Sequence, residues 1–162
     1  MLGQLDALRG AASGSGLAVQ SIKPHGQLYH DLSDDEELAS AVFAALASRW
    51  PEAVVVLAAG SRAARWASSG GLRVVAEGFC DRVYDDRGAL LDRAQPGALL
   101  RSTDEVADQV RALARDGLVV GGARVSIDSL CVHSDGPDAL AILDRARHVL
   151  DAEGIAVAAS DR

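Results

Sequence analysis

Three short apolar runs of this chain each end in a histidine or an aspartate able to hold or move a proton. The first run ends in Lys23-Pro24-His25-Gly26, followed closely by Tyr29 and His30. Another carries Glu77 and then Phe79-Cys80-Asp81-Arg82, and a third ends in Cys131-Val132-His133-Ser134-Asp135. Histidine exchanges protons near neutral pH, and a carboxylate pair such as Glu77 and Asp81 suits general acid or base work. Lys23 supplies a cation for a carboxylate or phosphate. Pro24 removes a backbone donor and Gly26 permits a tight turn, so together they aim Lys23 and His25 over the end of a strand.

Each cluster also has a plainer reading. The Lys23–Gly26 tetrapeptide is equally a turn that carries two polar residues, and Asp135 suits a helix N-cap. Asp81 would serve as well by pairing with Arg82 or Arg93 to hold a loop closed. Two histidines and an acid are partial zinc chemistry, but no HxxxH or HxxEH spacing is present, so no metal is expected. Cys80 and Cys131 fit small buried hydrophobes better than nucleophiles. His148, beside Arg145 and Arg147, reads as a surface residue late in a helix, and Asp34–Glu37 as a solvated first turn.

The elements that must position these groups alternate. Strands are expected near 17–23, 53–58, 72–77, 127–132 and 155–159, as nearly continuous apolar runs typical of parallel strands covered on both faces. Ser33 with Glu36, and Ser102 with Glu105, form capping-box patterns that open helices to about 49 and 116. Asp135 with Pro137 opens a third, and residues 2–13 and 61–67 read as helical. Residues 78–101 show no periodicity, and a loop that long in a compact domain is usually functional or disordered. The pattern implies one α/β domain over 1–162 with about five mostly parallel strands, whose carboxyl ends gather the three polar clusters on one edge.

Composition narrows the chemistry. The formal charge of −7 and scattered basic residues, Lys23 being the one lysine, argue against a nucleic-acid partner. Aromatics make up 4% of the chain, so the core must be packed by Leu, Val and Ala. No run reaches the roughly 20 apolar residues of a membrane span, and no signal-peptide pattern opens the chain, so a cytoplasmic protein is expected.

Three segments resemble the LamB/YcsF family in order. IKPHGQLYH is similar to its KPHGALYN motif, EGFCDRVYDDRGALLDRAQPGALL to its E-V-F-A-D-R-x-Y…R-x-x-P-G-A stretch, and DSLCVHSDGPDAL to its D-x-[IL]-C-V-H-G-D-x-P motif. The likeness covers about residues 1–157. Gln27, His30, Gly78, Cys80 and Ser134 depart from it, and the family's D-L-N-x-D-x-G-E and G-F-H-A-G-D segments have no counterpart. Matched onto these motifs, His25, Asp81 and His133 become the candidate catalytic groups. Lys23, Tyr29, Glu77, Arg82, Arg93 and Asp135 become candidate substrate contacts.

The resemblance implies an incomplete (β/α) barrel of the glycoside hydrolase/deacetylase type, acting as the A subunit of a 5-oxoprolinase. Such a subunit opens 5-oxoproline to glutamate with ATP, expected with Mg2+, beside separate B and C subunits. No GxxxxGK[ST] loop is visible, so a nucleotide site is expected to be unconventional or on a partner. An open sheet would also expose strand edges, from which a homo-oligomer is expected. Two alternatives remain: a metal-dependent deacetylase-like hydrolase, and a non-catalytic assembly subunit.

Overall fold

A computed structural model describes residues 2–158. The chain runs α1 (Leu2–Gly14), β1 (Ser21–Ile22), α2 (Gln27–Asp34), α3 (Glu36–Arg49), β2 (Val54–Ala58), α4 (Arg62–Ser69) and β3 (Arg73–Phe79). It continues through α5 (Thr103–Asp116), β4 (Leu118–Val120), β5 (Ala123–Val125), β6 (Ser129–Cys131) and α6 (Ala139–Ala152). Four parallel strands form a curled half-barrel in the order β1-β2-β3-β6. Its spine is β2 against β3, paired from Val54↔Arg73 to Ala58↔Glu77, and β6 extends it through Glu77↔Ser129 and Phe79↔Cys131.

Two buried clusters hold this arc to its helices. Val55 and Leu57 of β2 pack with Leu32, Phe43, Leu46 and Ala63 of α2–α4. Beyond the end of β3, Cys80 packs with Val106 and Val110 of α5 and Ile142 and Val149 of α6. Leu2 and Leu5 of α1 rest on the first cluster, whereas Leu8 is exposed. Burying side chains the size of Leu57 contributes about 1.5–3 kcal/mol each.

Several expectations need correction. The Ser33 capping box does not form. Ser33 lies inside α2, and the chain breaks at Asp35, whose carboxylate accepts the Leu38 N–H at 2.9 Å and so caps α3. The Ser102 box does form: Ser102 Oγ accepts the Asp104 N–H and Glu105 accepts the Ser102 N–H. The helix of Asp135 opens later, at Ala139, and the Asp135 carboxylate instead accepts from Arg93 at 2.8 Å.

The strand expected at 17–23 shortens to Ser21–Ile22, the stretch that finds partners on β2, and the one at 127–132 shortens to Ser129–Cys131. The strand expected at 155–159 is absent over 155–158, and residue 159 lies outside the described residues. Gly154, at φ 71°, turns the chain so that the Ile155 N–H closes on the Leu150 carbonyl, and Ile155 packs on the α5–α6 cluster instead of pairing with a strand. Residues 118–125 form an unforeseen antiparallel hairpin across Gly121-Gly122, at φ 57° and 84°. Left-handed residues at both turn positions match the twist of a two-residue hairpin. The 78–101 stretch also has order, through antiparallel bridges Arg82↔Leu99 and Tyr84↔Leu90.

The caps make a direct stability test. Asp35→Ala and Ser102→Ala should each destabilise by about 1 kcal/mol in urea unfolding. Ser33→Ala, inside a helix, should change stability by less than about 0.5 kcal/mol or raise it slightly.

Candidate active site

Side chains alternate along a strand, so Glu77, Phe79 and Asp81 share one face of β3 and its extension while Gly78 and Cys80 share the other. The second face is packed: a side chain on Gly78 would press on Ile127 and Leu113, and Cys80 is fully buried. The first face lines the inside of the arc. Cys131 and His133 alternate in the same way on β6 and beyond it, held in register by the Cys80 N–H bonded to the Cys131 carbonyl at 2.9 Å. Lys23 and His25 follow β1. All of these groups therefore stand at the carboxyl edge of the parallel sheet.

The central contact joins Asp81 to His133. Asp81, 6% exposed, accepts the His133 backbone N–H at 3.1 Å, and His133 Nδ1 lies 2.9 and 3.0 Å from its two oxygens. An ionised carboxylate only accepts, so Nδ1 carries the proton and Nε2 of the neutral ring is left with a basic lone pair. The ring is fixed further by stacking on Phe79, with centroids 5.7 Å apart and planes 17° from parallel. This contact decides against the plainer reading of Asp81 as a partner of Arg82 or Arg93.

A second polar tie crosses the arc. Lys23 Nζ donates to Glu77 at 2.6 Å, passing over the alanines that end β2, and Tyr29 OH donates to the other Glu77 oxygen at 3.2 Å. Lys23 also approaches Cys131 Sγ at 3.4 Å. Burial pulls the Lys23 ammonium down, but the hydrogen bond and charge of Glu77 outweigh it and leave its pKa above the ordinary lysine value. The stabilisation from this pair is thus complete through neutral pH and is lost only as pH climbs past the ordinary lysine range. Burial, then the Glu77 charge, pushes the Tyr29 hydroxyl far up, so it stays a donor.

Neither cysteine is an activated nucleophile. Burial followed by the Glu77 charge raises the Cys131 thiol, against a smaller opposing pull from Lys23, and burial pushes Cys80 up to about 12.

The remaining candidates occupy the opposite wall. Arg82, 4% exposed, donates through Nη2 to the Leu91 carbonyl at 2.6 Å. Arg93 pairs with Asp135 at 2.8 Å, and both are well exposed. That hydrogen bond holds the Asp135 carboxyl below its usual range. A cleft of about 930 Å³ opens between these groups, with Lys23, His25, Tyr29, Arg82, Arg93 and His133 on its walls. Asp81 lies behind His133 and lines a smaller adjoining recess of about 60 Å³. His25 is exposed and bonds to neither Asp81 nor His133, so it shares the cleft without joining the pair.

Sequence reasoning placed Phe79 and Tyr84 in the cluster around Asp81 without giving them a role, and passed over Gln109. Tyr84 OH accepts the Phe79 N–H at 2.7 Å, and Gln109 donates to the Phe79 and Arg82 carbonyls at 2.5 and 2.7 Å. Strand alternation from Glu77 through Asp81 points to Phe79; nothing local points to Gln109, which arrives from α5.

The arrangement offers one oriented imidazole, one ammonium and two guanidiniums around a space sized for a small polar molecule. It does not by itself fit a metal-bound triphosphate. Lys23 is already paired with Glu77, and among the described residues no three His, Cys, Asp or Glu side chains converge to hold a cation.

Residues 1–162 match the LamB/YcsF family. The chain is 42% identical over 158 residues to the 5-oxoprolinase A subunit of Paracidovorax citrulli, covering 95% of this chain and 63% of the relative. It is 37% identical over 161 residues to the protein of the same name from Pyrococcus abyssi, covering 97% and 63%. Among solved structures it is similar to the lactam utilization protein from Thermus thermophilus. The TM-score is 0.83 at 30% identity, over 95% of this chain and 63% of that one. The chain thus spans 63% of the length of the relatives it matches.

The electrostatics around Cys131 can be read chemically. Glu77→Gln removes the charge that raises the thiol, so iodoacetamide should label Cys131 several-fold faster at mildly alkaline pH. Cys80 should stay protected, and peptide mass mapping separates the two. An unchanged or slower Cys131 rate would contradict the assigned geometry.

Proposed function

Because the chain belongs to the LamB/YcsF family, we propose that its cleft binds 5-oxoproline and that Asp81 and His133 open the lactam to glutamate within a 5-oxoprolinase. The observation that carries this reading is the Asp81–His133 hydrogen bond at 2.9 Å, at the mouth of a cleft on the carboxyl edge of the sheet. The names of the relatives supply the substrate. His133 Nε2 takes a proton from water as the oxygen attacks the lactam carbonyl carbon. Asp81 keeps Nδ1–H in place and stabilises the imidazolium. That imidazolium then gives its proton to the ring nitrogen as the C–N bond breaks, and the carboxylic acid so formed passes its own proton to the amine, leaving a carboxylate and an ammonium group.

Lys23 spends one of its N–H donors on Glu77 and has others for the carbonyl oxygen as negative charge develops there. Tyr29, held protonated beside Glu77, borders the same space. His25 stands exposed on the cleft wall.

In this reading the chain works in a cytoplasmic assembly with B and C subunits, and it self-associates. ATP with Mg2+ then binds at a site on, or shared with, a partner subunit. Among the described residues no helix is long and apolar enough to cross a membrane.

Ring opening of 5-oxoproline, followed for this chain alone and with B and C subunits and ATP, is the test. His133→Ala and Asp81→Asn should each lower kcat by about 10²-fold or more, the scale of a lost general base. His25→Ala should cost less, since it lacks a partner, and His148→Ala should change nothing. Equal small effects at His133, Asp81 and His148 would leave a binding scaffold rather than a catalyst.

A further inference from the structure

The cleft holds a cation that the proposed chemistry does not use. Arg82 is 4% exposed, yet among the described residues no carboxylate pairs with it. Its Nη2 bonds to the Leu91 carbonyl, but among the described residues Nε has no partner. A buried guanidinium with an unused N–H is costly unless something completes it. The acids nearby are committed elsewhere. Asp81 holds His133, Glu77 holds Lys23 and Tyr29, and Asp92 Oδ1 accepts the Ala94 N–H at 2.9 Å.

A second guanidinium faces the same space. Arg93 is close enough that, after burial itself, its charge is the main influence lowering the Arg82 pKa. Two like charges converging on one cleft wall make a site for an anion. The acid that Arg93 does hold, Asp135, is exposed, and an exposed pair of this kind is worth little and exchanges readily. The Arg93 backbone stays fixed meanwhile, since Asp92 and Gln95 close a turn around it through the Gln95 N–H to the Asp92 carbonyl. Its side chain can change partner without the loop moving.

We propose that Arg82 and Arg93 form an oxyanion clamp on the cleft wall, latched at rest by Asp135, which receives a carboxylate or phosphate of the bound molecule. Planar guanidiniums suit either group, because each offers paired N–H donors to two oxygens. The carboxylate source rests on the lactam reading, in which the clamp would grip the carboxylate of 5-oxoproline and leave its amide beside His133. Asp135 then acts as a placeholder that the ligand displaces.

The test is titration calorimetry of the whole chain with three probes: 5-oxoproline, 2-pyrrolidinone, which lacks the carboxylate, and inorganic phosphate. The variants are Arg93→Gln and Asp135→Asn, both exposed and so safe for folding, while Arg82 is left alone because it also holds the Leu91 carbonyl. Arg93→Gln should weaken the oxyanion probes about tenfold or more, the loss expected of a charge-assisted bidentate contact. Asp135→Asn should strengthen them several-fold by removing the competitor, and 2-pyrrolidinone should respond to neither. Tighter binding on loss of Asp135 is a readout that a purely structural ion pair would not give.

If phosphate binds in an Arg93-dependent way and 5-oxoproline does not bind, the clamp stands with phosphate as its source and the lactam reading falls. If 5-oxoproline binds equally well with and without Arg93, the clamp is overturned and the lactam reading survives. Failure of the wild-type chain to bind either oxyanion overturns the clamp as well.

Discussion

A carboxylate almost wholly removed from water must find donors, and at the end of β3 one residue supplies them all. Asp81 receives both the backbone N–H and the ring Nδ1 of His133. Leaving such a group unpaired would cost roughly several kcal/mol, enough to threaten a marginally stable fold. The bond therefore works in two directions. It fastens β6 to β3 at the edge of the sheet, where among the described residues β6 has no other strand beside it, and it fixes the imidazole in one orientation.

Much of the neighbouring structure serves that geometry. Phe79 gives the imidazole a flat surface to rest on, and Tyr84 and Gln109 anchor the backbone on both sides of Asp81. Across the arc, the Lys23–Glu77 pair ties the end of β1 to β3, on either side of β2, whose last residue, Ala58, is in register with Glu77. The cleft is in this way bounded by ion pairs on two sides, with a packed aliphatic layer behind. Glu77, Asp81 and Arg82 are buried there, whereas His25, Arg93 and Asp135 face solvent.

The sequence was most informative where periodicity and chemistry coincide. Strand ends carrying Lys23, Asp81 and His133 were legible because an apolar run that stops at a polar group marks the rim of a parallel sheet. The Ser102–Glu105 cap was legible because its partners lie within one helical turn. Where two local solutions competed, as at Ser33 and Asp35, pattern alone could not choose, since both residues cap well and neighbouring packing decides between them. At Asp135 the helix start was misplaced, and the residue's partner, Arg93, lies 42 positions away. The same holds for Gln109, which reaches the site from a helix whose sequence reads as ordinary surface. The Gly121-Gly122 hairpin, by contrast, carried a readable signal that the flanking helix and strand overshadowed.

The proposed proton transfer depends above all on His133 being held by Asp81 with its proton on Nδ1. Nitrogen-15 NMR of the histidine side chains at about pH 8.5, where an ordinary imidazole is neutral, reads this directly. His133 should show a protonated Nδ1 and a bare Nε2, and Asp81→Asn should abolish that preference while leaving His148 unchanged. An Nε2-protonated His133, or one whose signals match the exposed His25 and ignore the loss of Asp81, would contradict it.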